Sequence, residues 1–219
     1  MVLNNAILSM SARRFLLFIL LALVVSYVIF WGRGWMEKRP LMTSGGLYIP
    51  YTILIEGPHF LQSDPHWGKD PLASTQESLA QSGCAVASAA MVLASYGVKT
   101  DPGHLNAFLK NTEGGFTPEG WIYWEKAPLL DPAMAAEILP HYEDAPSYFL
   151  MDTNLLKGNS VIVRVRYPSG ITHFVVICGK SGYEYLVRDP GSGGINGIHL
   201  LSDFPGPVEA LRFYKKPNF

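Results

Sequence analysis

Seventeen consecutive positions, Phe15 to Trp31, are apolar throughout except for Ser26. At about 1.5 Å per residue, a helix over this run is about 25 Å long, near the short limit for crossing a bilayer. Tyr27, Trp31 and Trp35 gather at one end of it, as interfacial aromatic rings do. A cleaved signal peptide competes with an anchor for this segment. The run is long for a signal, and no small-x-small cleavage site follows it, so an uncleaved anchor is the expectation. Arg13 and Arg14 hold the N-terminal side inward, whereas Arg33, Lys38 and Arg39 pull the other way. An N-terminal anchor before a whole domain leaves that domain outside the cytoplasm by default. The expected location is therefore a single-pass cell-membrane protein with an extracytoplasmic domain.

Those basic residues, set against Glu37, concentrate positive charge at the front of a chain whose formal net charge is −1. The remainder is mildly acidic, which leaves no nucleic-acid footprint and argues against a polyanionic ligand. The organisation expected is a short segment over 1–14, the membrane helix over 15–31, a linker over 32–50 and one domain over 51–219. The linker reading rests on glycine, proline and charge mixed without a period. The domain is long enough for a sizeable core.

Within the domain, residues 83–93 (Gly-Cys-Ala-Val-Ala-Ser-Ala-Ala-Met-Val-Leu) place Cys84 where a Ser-Gly break opens an apolar helix. The first N–H groups of a helix lack acceptors and carry the positive end of its dipole. That setting favours a thiolate, the nucleophilic form of cysteine. Far downstream, His173 enters the apolar stretch Phe174-Val175-Val176-Ile177, and Asp189 ends another strand-like stretch before Pro190-Gly191. Cys, His and Asp are the three groups a thiol nucleophile, its base and the base's orienting carboxylate require.

Apolar residues Val86, Ala90, Leu93 and Ala94 recur at helical spacing until Gly97. Asp101-Pro102 predicts a second helix start and Thr117-Pro118-Glu119 a third, with a further short helix over residues 147–157. After Gly158 the period changes. Strands are predicted over 161–167, 173–178, 184–188, 197–200 and 208–214, with a weaker one over 51–56. Helices first and antiparallel strands later make an α+β domain.

Four segments together carry a family resemblance. They are residues 60–68 (Phe-Leu-Gln-Ser-Asp-Pro-His-Trp-Gly), residues 83–97, His173-Phe174-Val175-Val176 and Asp189-Pro190. They resemble the papain-fold cysteine peptidases, in particular the peptidase C39-like family, similar to the double-glycine leader peptidases that process bacteriocins. The resemblance implies a papain-like fold, no cofactor, and a peptide or protein substrate cleaved through a Cys84 thioester. It implies that Cys84 attacks, that His173 holds and returns the proton, and that Asp189 orients the imidazole. It implies that Gln62 donates its side-chain amide to the oxyanion beside the Cys84 N–H. Leader-peptidase domains commonly precede an ABC transporter and none follows here, so the double-glycine preference is not carried over.

Other residues take plainer readings. Cys178 is expected to be a buried strand thiol. Trp67 and Gly68 are expected to be structural, with Trp67 against the Cys84 helix, and Trp121 and Trp124 to fill the core. The remaining histidines show no metal-ligand spacing, so no metal is expected. Two alternatives stay open: a silent peptide- or cell-wall-binding module on the same fold, and an acyl transferase or amidase using the same triad.

Overall fold

A computed structural model describes residues 10–135, 137–194 and 197–215. Helix α1 (Met10–Met36) extends the apolar run by several residues at both ends. Its most apolar 18 residues have mean hydropathy 2.6, and none of them is buried against the protein. Strand β1 (Ser44–Leu54) follows, then α2 (Leu79–Ser82), α3 (Cys84–Ser95) and α4 (Pro102–Lys110). A 3-10 turn (Trp124–Leu130), the single turn α5 (Pro132–Ala135) and β2 (Leu139–Glu143) lead to α6 (Tyr148–Leu156). The chain closes with β3 (Val161–Arg166), β4 (Thr172–Arg188), β5 (His199–Leu200) and β6 (Val208–Lys215). Mixed helices and an antiparallel sheet are therefore confirmed as the class.

The caps explain two helix starts. Asp101 accepts the His104 N–H at the head of α4, with Pro102 in the first turn, and Ser147 accepts the Leu150 N–H at the head of α6. The third expected start fails. Thr117-Pro118-Glu119 sits in a tight turn instead, closed by the Thr117 N–H on the Trp121 carbonyl and by a bridge between Phe116 and Ile122. Asp, Thr and Pro serve a turn as readily as a cap, and tertiary pairing decides between them.

The sheet runs β1-β4-β3-β6-β2, with β5 added to β4. Both of its faces are covered. Ile162, Val176 and Tyr214 pack with Val86, Leu93, Leu105 and Leu109 of α3 and α4. Val161, Val163, Val165, Val175 and Ile177 face Met151 and Leu155 of α6. Alternation between two buried faces explains why these strands read as continuous apolar runs. Strand β4 doubles back at Ser181 and Gly182, where Gly182 adopts φ +60°. A straight strand would carry His173 and Asp189 roughly 50 Å apart, yet their side chains touch at 2.6 Å.

Residues 32–50, expected as a linker, are bonded into the domain. Leu41 exchanges two backbone hydrogen bonds with Val208, the Arg39 N–H donates to the Pro146 carbonyl, and Ser44 begins β1. Trp35 donates its indole N–H to Asp152 Oδ2 at 2.8 Å and meets the Phe149 ring edge-on. No period marks this stretch because its order comes from partners more than 100 residues away.

Asp152 is the hub of that attachment. Its carboxylate also accepts from Lys180 Nζ at 2.6 Å, the Tyr185 hydroxyl at 2.8 Å and the Leu47 N–H at 2.7 Å. Lys180 and Asp152 are 1% and 0% exposed, so two opposite charges sit in the interior with every lone pair matched. Burial lowers the Lys180 pKa, and the bond to Asp152 opposes that. Gly46, at φ +72°, closes over the pair, and a Cβ there would lie 2.4 Å from Asp152 Oδ2. Removing one partner of such a pair strands the other charge in low dielectric. Lys180→Met is expected to cost about 3–5 kcal/mol of domain stability, measured by denaturant unfolding.

Candidate active site

Cys84 is the first residue of α3, placed there by Gly83. The chain turns so tightly between α2 and α3 that a Cβ on Gly83 would lie 2.5 Å from the Leu79 carbonyl oxygen. Only glycine fits that turn without shifting backbone. The far side of α3 is buried, and the Ser88 hydroxyl donates to the Phe174 carbonyl at 3.3 Å. This bond ties the nucleophile helix to the strand residue next to His173.

The β4 hairpin supplies the other two groups. His173 Nε2 donates to Asp189 Oδ1 at 2.6 Å, and Cys84 lies close enough to act on the same ring. Nε2 is committed to the carboxylate, which leaves Nδ1 as the ring nitrogen open to a thiol. Burial disfavours the charged imidazole, but the neighbouring Asp189 and Cys84 outweigh it and raise His173 from 6.5 to about 9. Asp189 is likewise penalised by burial, and the bonds from His173 and from the Gly191 N–H hold it below its ordinary 3.8. The Gly191 N–H reaches the same Oδ1 at 2.8 Å. Gly191 therefore steadies the carboxylate as well as turning the chain.

Gln62 reaches the site from the loop after β1. Its backbone N–H donates to the Pro190 carbonyl at 2.8 Å, beside Asp189. Its Nε2 donates to the Ala80 carbonyl at 2.8 Å, in the turn just before Cys84. One Nε2 proton is used there and the second is left over; Oε1 is buried without a partner. The four residues expected from the sequence thus come together.

Several neighbours were missed. His59 Nε2 donates to the Asp189 carbonyl at 2.7 Å and fixes the backbone of the carboxylate. Phe204 stacks on His173 with ring centroids 6.2 Å apart, and Tyr167 lies 6.0 Å away. No local signal marks these residues, because each meets the site through a different loop. Trp67 packs against the α3 side of the core, as expected. Trp124 is buried, but Trp121 is 63% exposed and is not a core residue.

Trp121 instead borders a cleft of about 460 Å³ that Gln62, Cys84 and His173 also line. Its walls include the apolar Leu72, Ile122 and Ile171, and Glu77 and Glu119 stand at its edge. Of the two thiols, both free, Cys84 is half-buried at this cleft. Cys178 is buried in β4, and burial pushes its thiol up to about 11. Only Cys84 can meet a ligand and a base together. Among the described residues, no three His, Cys, Asp or Glu side chains cluster as metal ligands would.

The pH behaviour of this pair follows from its two shifts. His173 titrates higher in the folded chain, so its contribution to stability is complete below about 6.5 and is lost as pH rises through about 9. Asp189 titrates lower, so its contribution is present above 3.8 and is lost as pH falls through its depressed value. The Tm gap between wild type and His173→Ala is expected to be widest near pH 5–6. It should shrink as pH approaches 9, in thermal melts across that range.

Comparison with known proteins adds a family and a structural match. The sequence pattern of the peptidase C39-like family matches residues 67–199. A crystal structure from Bacillus anthracis, of a protein assigned as a C39-like peptidase, aligns with TM-score 0.49 and 15% identity. That alignment covers 77% of this chain and 100% of the other. No curated protein matches the sequence.

Proposed function

The chain belongs to the peptidase C39-like family, and from that premise we propose that it is a cysteine peptidase with a papain-like domain, held to a membrane by α1. The observation that carries this reading is His173, hydrogen-bonded to Asp189 and sharing one cleft with Cys84. Cys84 transfers its proton to His173 and its sulfur attacks the scissile carbonyl carbon. The oxyanion takes the Cys84 N–H, an acceptor-free group at the head of α3, and the spare Nε2 proton of Gln62. The C–N bond breaks as His173 returns its proton to the leaving amine. The thioester is then hydrolysed by a water whose proton passes to His173 and back to sulfur. Asp189 stays ionised throughout, orienting the ring and steadying the imidazolium.

A cleft whose lining combines apolar Leu72, Ile122 and Ile171 with the carboxylates of Glu77 and Glu119 supports a peptide substrate. The exposed apolar run of α1 supports the membrane anchor. The Trp35–Asp152 bond favours retention, because cleavage beyond Trp35 would remove a partner from a buried carboxylate. The default topology puts the domain on the extracytoplasmic side.

Iodoacetamide alkylation of Cys84, followed by mass spectrometry from pH 5 to 9, tests the thiol pair. Labelling near pH 6.5 is expected to fall at least about tenfold in His173→Ala, where no imidazole takes the proton. Indistinguishable rates in the two proteins would overturn the peptidase reading and favour a binding module. In a peptide-cleavage assay, Cys84→Ser is expected to abolish turnover. Gln62→Ala is expected to lower kcat by about 10²–10³ with little change in KM, the loss of one oxyanion donor.

A further inference from the structure

Where α1 leaves its apolar run it meets the domain, and a cavity of about 510 Å³ lies between them. Phe30, Trp31 and Trp35 line it from the helix and Tyr148 from α6, and Arg33 and Arg39 also border it. Glu37 pairs with Arg39 at 3.2 Å. Arg33 has no carboxylate partner among the described residues, so the cavity carries one net positive charge. Its walls are set by the domain: Trp35 is bonded to Asp152, and the Arg39 N–H to the Pro146 carbonyl. The space is therefore formed before any ligand enters it.

Depth identifies the ligand. Trp31 ends the apolar run, so Arg33 stands two residues, about 3 Å, beyond it along the helix. That is the level of the phosphates in a bilayer whose hydrocarbon ends at Trp31. A phosphodiester joined to a glycerol and two acyl chains has the two chemistries of this cavity, an anion for forked guanidinium donors and an apolar body for aromatic walls. We propose that this cavity binds the headgroup of an anionic glycerophospholipid. The phosphate lies between Arg33 and Arg39, and the glycerol and first acyl carbons lie against Phe30 and Trp31. This inference rests on the anchor reading of α1. Its consequence is a domain held in one orientation on the membrane surface.

The test is native mass spectrometry of the full chain in detergent, titrated separately with phosphatidylglycerol, phosphatidylethanolamine and inorganic phosphate. One retained phosphatidylglycerol is expected, with at least fivefold preference over phosphatidylethanolamine. Arg33→Gln and Arg39→Gln are each expected to weaken retention roughly fivefold, the effect of one basic residue at an anionic surface. Arg33→Lys/Arg39→Lys keeps the charge but loses the fork, and should still bind more weakly than wild type. Equal retention of the two lipids, or full binding by the lysine pair, would overturn the proposal. So would inorganic phosphate displacing phosphatidylglycerol at equal concentration, which would mark a free-anion site. Alkaline carbonate extraction of cell membranes separates the two readings. A chain that washes off defeats both the anchor and this site; one that stays embedded without lipid preference defeats the site alone.

Discussion

The reversal of β4 on itself is the constraint on which the site depends. Its two limbs carry His173 and Asp189 at opposite ends, and only the turn at Ser181 and Gly182 lets them meet. Everything else is attached to that hairpin. Ser88 bonds α3 to the backbone of Phe174, His59 bonds the loop after β1 to the backbone of Asp189, and Gln62 bonds Pro190. Two separate segments are thus registered by three bonds against main-chain atoms of one hairpin. Main-chain bonds leave the side chains of Cys84, His173 and Asp189 free to hold one another.

The electrostatics follow from that placement. A buried imidazole is ordinarily pushed toward neutrality. Here the neighbouring Asp189 and Cys84 reverse the effect and raise His173 to about 9. The Asp189 carboxylate is matched in turn by two donors on one oxygen. Cys178, buried without such partners, moves in the opposite direction from a useful nucleophile. The difference between the two thiols is one of position on the sheet and helix rather than of chemistry.

A second buried charge centre has a structural role. Lys180 and Asp152 sit on the other side of the sheet from α3, close to the point where α1 joins the domain. Replacing such a pair with apolar residues is often neutral for stability. Its retention here coincides with a specific geometric task, since Asp152 takes donors from α1, β1 and β4 together. The helix and the domain consequently meet at a defined angle instead of through a flexible tether, and the cavity bordered by Arg33 and Arg39 exists because they do.

The sequence by itself determined the local devices: the apolar length of α1, the caps Asp101 and Ser147, the helix opening at Cys84 and the change of period after Gly158. Each depends on neighbours within a turn or two, or on runs long enough to declare their period. It also singled out Cys84, His173, Asp189 and Gln62 as candidates, because those residues stand in short recognisable segments. The tertiary structure alone decided the ordering of residues 32–50, the turn at Thr117-Pro118 and the exposure of Trp121. It alone brought His59, Phe204 and Tyr167 to the histidine. Those features depend on partners far away in the chain, and contact between distant segments has no local period or spacing by which it could be seen.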